Sequence, residues 1–204
     1  MTVRTPIAVF LSGGGRTLEN LLACARGQGP EGRSLDADIR LVVASRECRG
    51  TEVAREATIE TRVIPGDLEA PRVHDLLTSC GVAWGVLAGY LRRLGIPPAF
   101  EHRVVNIHPA LLPAHGGKGM FGDRVHRAVL EAGETRTGCT VHLCDERYDT
   151  GPIVLQRMCD VLAGDTPTSL GARVFKLEKR AYPEALSLLF AGGWRVEGGR
   201  VRFE

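Results

Sequence analysis

Through the first hundred residues, short β-branched runs alternate with helical stretches, and that alternation confines the chain to one class of fold. Residues 7–11 form an apolar run, followed by Ser12-Gly13-Gly14-Gly15-Arg16-Thr17 and a helical stretch at 18–22. A second run at 39–44 leads into a helix expected around 53–57. Residues 61–64, 84–88 and 104–107 read as three further strands, with a helix at 73–80. Strands that alternate with helices predict an open, mostly parallel twisted α/β sheet with helices on its faces, joined by right-handed crossovers. Such sheets place ligands at the carboxyl ends of their strands. The glycine loop, Ala88-Gly89-Tyr90 and the pair Asn106/His108 all lie at such ends. Beyond Pro113 the pattern changes. Residues 115–122 are too rich in glycine for a regular element and read as a mobile loop. A helix is expected at 125–132, two plausibly antiparallel strands at 140–144 and 153–161, and a helix over 168–189 that Pro183 should kink or split. Gly192-Gly193 and Gly198-Gly199 bracket a terminal hairpin.

A length of 204 residues suits one domain, 1–204, with a phosphate-binding βαβ part to about residue 100 and a catalytic part from about 101. The formal net charge of +2 gives no footprint for nucleic acid or an anionic membrane. No apolar run reaches membrane-spanning length and no signal pattern opens the chain, so a cytoplasmic location is expected. The six cysteines show no C-x-x-C spacing, which points to free thiols and to no metal site.

The chemistry concentrates in Asn106-Ile107-His108-Pro109-Ala110-Leu111-Leu112-Pro113. Residues two apart on a strand share a face, so Asn106 and His108 converge where the prolines stop regular structure. An amide donor beside an imidazole suits acyl transfer, one holding a developing oxyanion and the other managing a proton. A carboxylate beside His108 would raise its pKa. Asp145, Glu146 and Asp149 are the candidates, and spacing does not choose among them.

The glycine loop offers backbone N–H groups and the positive end of a helix dipole to a phosphate. Gly13, Gly14 and Gly15 permit close approach, and Thr17 is expected to cap the helix and donate. The loop lacks both the third glycine of a dinucleotide fingerprint and the Lys-Ser/Thr of a P-loop, which favours a single phosphate monoester. Among the other histidines, His142 reads as a satisfied core residue. His74, His102 and His126 read as surface or helix residues, and His115 as a weak ligand candidate. Arg92-Arg93 and Glu178 read by default as solvated charges.

Taken together, these residues resemble the phosphoribosylglycinamide formyltransferases, the folate-dependent enzymes of purine synthesis, over residues 7–191. The most specific segments are Asn-Ile-His-Pro-Ala-Leu-Leu-Pro at 106–113, Leu87-Ala88-Gly89-Tyr90-Leu91-Arg92 and Gly138-Cys139-Thr140-Val141-His142, joined by Tyr148-Asp149-Thr150-Gly151-Pro152-Ile153 and Ala163-Gly164-Asp165-Thr166. The resemblance implies a Rossmann-like formyltransferase fold with an antiparallel C-terminal portion. It implies Asn106, His108 and Asp149 as the catalytic trio. Gly14, Gly15, Arg16 and Thr17 would bind the substrate phosphate and Glu178 its ribose, while Leu91, Arg92, Arg93, Leu94, Asn106 and Asp145 would bind the folate. The implied cosubstrate is 10-formyltetrahydrofolate, without a metal, and the implied partners are small molecules, with a homodimer left open. Four places depart from the family pattern. Arg16-Thr17 replaces Ser-Asn, Arg93 replaces an aliphatic residue, Phe175 replaces a polar one, and 116–122 is longer and richer in glycine.

Other readings follow from the same residues. A sugar N-formyltransferase would use the trio on an amino sugar nucleotide and need a diphosphate-binding extension. A formyltetrahydrofolate hydrolase would direct water to the same carbon and carry an extra N-terminal regulatory domain. A non-catalytic phosphoribosyl-binding module would keep the loop and lose the trio. A nicotinamide oxidoreductase is disfavoured by the glycine spacing and by the lack of a clear acidic residue about 20 positions on, Asp36 and Asp38 being the nearest.

Overall fold

The computed structural model describes residues 4–204; residues 1–3 of the expected domain lie outside it. The chain divides into two compact units, one ending at Asn106 and the other running from Ile107 to Glu204.

In the first unit, β1 (Thr5–Leu11) enters α1 (Arg16–Ala25) through the glycine loop, and β2 (Ala37–Ala44) leads into α2 (Arg49–Glu56). Then come β3 (Glu60–Val63), α3 (Ala70–Ser79), β4 (Trp84–Leu87) and β5 (Val104–His108), which ends two residues into the second unit. The strand order is β3-β2-β1-β4-β5 and every one of these pairings is parallel, as the alternating pattern predicts. Ile7, Ala8, Val9, Phe10 and Leu11 are fully buried, as are Leu41, Val42, Val43 and Ala44. Such continuous apolar runs mark strands covered on both faces. The order reverses between β1 and β4, which makes the loops after these strands the natural ligand-binding crevice.

One helix departs from its expected bounds. α2 begins four residues before the apolar stretch because Thr51 Oγ1 accepts from the Cys48 N–H at 3.2 Å, closing the first turn on a residue that carries no apolar signal.

In the second unit, α4 (Asp123–Glu131) precedes β6 (Arg136–Leu143) and β7 (Ile153–Asp160), which pair antiparallel as expected. α5 (Pro167–Ala191) packs on α4, β6 and β7. The hairpin β8 (Trp194–Glu197) and β9 (Arg200–Phe203) turns at Gly198-Gly199, both at positive φ, and β9 joins β7 in parallel. The split expected at Pro183 does not occur, and α5 runs through it for 25 residues. Buried residues on both sides of the proline, among them Leu170, Val174, Ala185, Leu186 and Leu189, hold the two halves to one packing surface, and that burial outweighs the lost backbone hydrogen bond.

Candidate active site

Asn106 and His108 occupy alternate positions of β5, Asn106 half-buried and His108 only 3% exposed. Asn106 stands in register with Leu87, the last residue of β4, so the segment Leu91, Arg92, Arg93 and Leu94 begins a few residues beyond its neighbour. After His108 the chain is held by Thr140 of β6. Its hydroxyl donates to the Ala110 carbonyl at 2.7 Å and accepts from the Leu112 N–H at 3.0 Å, while Gln156 Nε2 donates to the Leu112 carbonyl at 2.9 Å. Asn106-Ile107-His108-Pro109-Ala110 is therefore fixed to the neighbouring strands rather than left as a loose strand end.

The three carboxylates that sequence spacing left open are separated by geometry. Asp149 Oδ2 lies 3.4 Å from His108 Nδ1, and its Oδ1 lies 3.5 Å from His142 Nε2. Asp149 adopts a left-handed backbone (φ 59°), and Gly151 follows because a Cβ there would come within 1.9 Å of the Leu143 carbonyl. Asp145 shapes the same loop, its carboxylate accepting from the Arg147 N–H at 2.9 Å and from the Thr150 hydroxyl at 2.8 Å. Glu146 is exposed.

His142 is the buried, satisfied histidine its strand position suggested, with one addition: its Nδ1 sits 2.9 Å from the Leu143 carbonyl, and its other nitrogen faces Asp149. A register shift in the β6/β7 pairing at Val141/His142 accompanies this arrangement. The signal was present in the sequence, since His142 alternates with Thr140, but only the long-range meeting with Asp149 gives it meaning. His126 lies on a helix, as expected, but on its inner side: it is 5% exposed on α4, against Gly171 of α5. His115 enters through its backbone, with its carbonyl 2.8 Å from His108 Nε2.

The electrostatics reverse one expectation. Burial pushes the His108 imidazole below the ordinary histidine value. Asp149 and the His115 carbonyl pull it up, but do not overcome the desolvation. Burial alone would raise the Asp149 carboxyl; the contacts from His142, His108 and the Gly117 N–H outweigh it and hold the acid below its usual range. The resting pair is thus an ionised carboxylate beside an imidazole that resists its charge.

The glycine loop joins β1 to α1 as expected, with one correction. Gly15, not Thr17, caps α1, at φ 76°, and Thr17 lies within the first helical turn. A Cβ on Gly15 would sit 2.6 Å from Gly50 Cα, whereas Gly13 and Gly14 have open space around theirs. Ser12 Oγ accepts from the Leu91 N–H at 2.9 Å, tying this loop to the segment after β4. Arg16 is exposed at the helix start. Arg92 and Arg93 are exposed, Leu94 is half-buried, and Glu178 is half-buried on α5. Among the described residues, no cluster of three or more His, Cys, Asp and Glu could hold a metal ion.

Comparison with known proteins adds a family. The formyl transferase family matches residues 5–186. A chloroplastic phosphoribosylglycinamide formyltransferase of Arabidopsis thaliana is 38% identical over 96% of this chain, which spans 69% of that protein. The crystal structure of glycinamide ribonucleotide transformylase 1 from Symbiobacterium toebii superposes with a TM-score of 0.86 at 34% identity, covering 100% of this chain and 95% of that one. A formyltetrahydrofolate deformylase from Pseudomonas syringae shares the fold at a TM-score of 0.83 and 22% identity, covering 100% of this chain and 67% of that one. An amide and an imidazole on one strand, a carboxylate brought to that imidazole, and a family match that spans both units place this chain in the formyl transferase family.

Proposed function

We propose that this protein transfers a formyl group from 10-formyltetrahydrofolate to the primary amine of 5'-phosphoribosylglycinamide, as a single formyltransferase domain of purine biosynthesis. The observation that carries the reading is the Asp149–His108 contact at the end of the strand that also bears Asn106. The likeness to enzymes named for this reaction supports it.

In this reading the neutral amine attacks the formyl carbon and Asn106 Nδ2–H donates to the oxyanion that forms. His108, uncharged at rest, takes the proton that the amine must lose. It becomes an imidazolium beside two negative charges, the oxyanion and Asp149, which together offset its desolvation. The tetrahedral intermediate then collapses, the bond from carbon to the folate nitrogen breaks, and the proton passes to that leaving nitrogen through His108 or a water. Gly14, Gly15, Arg16 and Thr17 hold the substrate phosphate and Glu178 its ribose. Leu91, Arg92, Arg93, Leu94 and Asp145 line the folate site. Holding both substrates supplies much of the remaining acceleration. The small-molecule substrates are the proposed partners. All six cysteines are free thiols, which fits a reducing compartment, and we assign the reaction to the cytoplasm. No helix among the described residues is long and apolar enough to cross a membrane.

The test is a turnover assay with purified protein, 10-formyltetrahydrofolate and the phosphoribosyl amine, followed by folate absorbance, with amino sugar nucleotides and water as competing acceptors. Formylation of the phosphoribosyl amine well above the other acceptors is expected. Turnover on an amino sugar, or on water alone, would replace the reading with the sugar N-formyltransferase or the hydrolase.

A further inference from the structure

Both nitrogens of His108 are engaged, and by groups of different kinds. A carbonyl only accepts hydrogen bonds, so the 2.8 Å contact with the His115 carbonyl requires that Nε2 carry a proton. Nδ1 is then the nitrogen whose protonation changes, and it faces Asp149 Oδ2 at 3.4 Å. A carbonyl can set this arrangement only if it is itself held still, yet His115 is followed by Gly116, Gly117 and Gly119, the last two at φ 102° and 89°. Such a stretch fixes little by itself. His115 itself adopts a left-handed backbone, φ 55°.

Glu134 holds the His115 side chain. Its Oε1 lies 3.4 Å from His115 Nε2. Glu134 is anchored in turn, since its own N–H donates to the Val129 carbonyl of α4 at 3.3 Å. Two residues beyond His115, the Gly117 N–H donates to Asp149 Oδ2 at 2.9 Å, so one short segment touches both members of the His108–Asp149 pair. We infer that the His115–Glu134 pair is a positioning device: it aims the His115 carbonyl at His108 Nε2 and so reserves Nδ1 for proton transfer. Neither side chain touches substrate; both act through His108. The inference rests on the proposed formyl transfer for its catalytic meaning, but its structural part can be read without substrate.

The charged and titratable groups that act on His108 come from four places: Asp149 in the loop before β7, His142 on β6, His126 on α4 and His115 itself. Glu134 is not among those acting directly, so its removal should reach His108 only through the carbonyl. In Glu134→Gln, titration of nitrogen-15-labelled histidines by NMR should show the His108 midpoint lowered by about 0.5 pH unit, because the bond that favours the charged ring is loosened. The acid limb of the rate profile should move with it, and kcat should fall roughly threefold to tenfold, with KM for both substrates nearly unchanged. Glu134→Ala, which leaves no acceptor for His115 Nε2, should lower the midpoint and kcat at least as far as Glu134→Gln does. An unchanged midpoint in both variants overturns the inference. A wild-type protein that fails to transfer formyl while Glu134→Gln still shifts the midpoint would overturn the proposed reaction and leave the positioning intact.

Discussion

The two glycine-rich loops of this chain differ in what their glycines are for. In the loop between β1 and α1, Gly13 and Gly14 face open space, and only Gly15 is pressed against Gly50. In the loop after Pro113, a Cβ on Gly116 would come 2.5 Å from Leu112 Cδ2 and 3.2 Å from Asp149 Cβ. The first loop leaves room for a ligand beside a helix N-terminus. In the second, Leu112 and Asp149 fill the room around Gly116. Glycine composition is the same signal in both, yet each loop has one confined glycine, Gly15 or Gly116, among others with open space around them: Gly13 and Gly14 in the first, Gly117, Gly119 and Gly122 in the second.

The sharpest way to break this contrast is to remove the groups that the second loop holds. His108→Ala and Asp149→Asn should each lower kcat by about 10²- to 10³-fold or more, while calorimetry still detects binding of the phosphoribosyl substrate. Near-normal turnover in both would end the acyl-transfer role of the pair. His142→Gln should follow with about a tenfold loss in kcat, since it leaves one oxygen of Asp149 without its imidazole. A rate equal to wild type would return His142 to a packing role. Arg16→Ala, in the open loop, should instead raise KM for the phosphate substrate by roughly tenfold with kcat kept, and the difference should shrink at high salt. An unchanged KM would remove Arg16 from the phosphate site. Among the glycines, Gly116→Ala should lower stability by about 1–3 kcal/mol in denaturant unfolding, against a change within about 0.5 kcal/mol for Gly14→Ala. Equal effects would erase the distinction between the loops.

The smallest effect concerns pH. Burial pushes the imidazoles of His108 and His126 below the unfolded value of 6.5, so in acid the unfolded chain binds more protons than the folded one. This contribution to stability is complete above about pH 6.5 and is lost as pH falls from there through the lowered folded values. Tm should therefore drop between neutral pH and about pH 5, and His126→Gln should flatten part of that drop.

Sequence periodicity was enough for the parallel order of the first unit, the β6/β7 pair and the terminal hairpin, because each rests on local apolar spacing and turn residues. It misplaced the start of α2, where a hydroxyl-to-backbone bond replaces apolar spacing, and of the kink or split it expected at Pro183 the split is overridden by packing on both sides. At the candidate site, Asn106 and His108 were legible because two residues on one strand share a face. The choice of Asp149 over Asp145 and Glu146 was legible only through the family resemblance.

What the sequence determined by itself was the set of elements and the residue types they bring to strand ends, since these follow from backbone periodicity within a few residues. Only the tertiary structure decided that His142 faces Asp149, that His115 reaches His108 through its carbonyl, and that burial outweighs a neighbouring carboxylate in setting the charge of His108. Each of those outcomes depends on how much water is excluded and which distant groups arrive, and neither quantity is carried by any short stretch of chain.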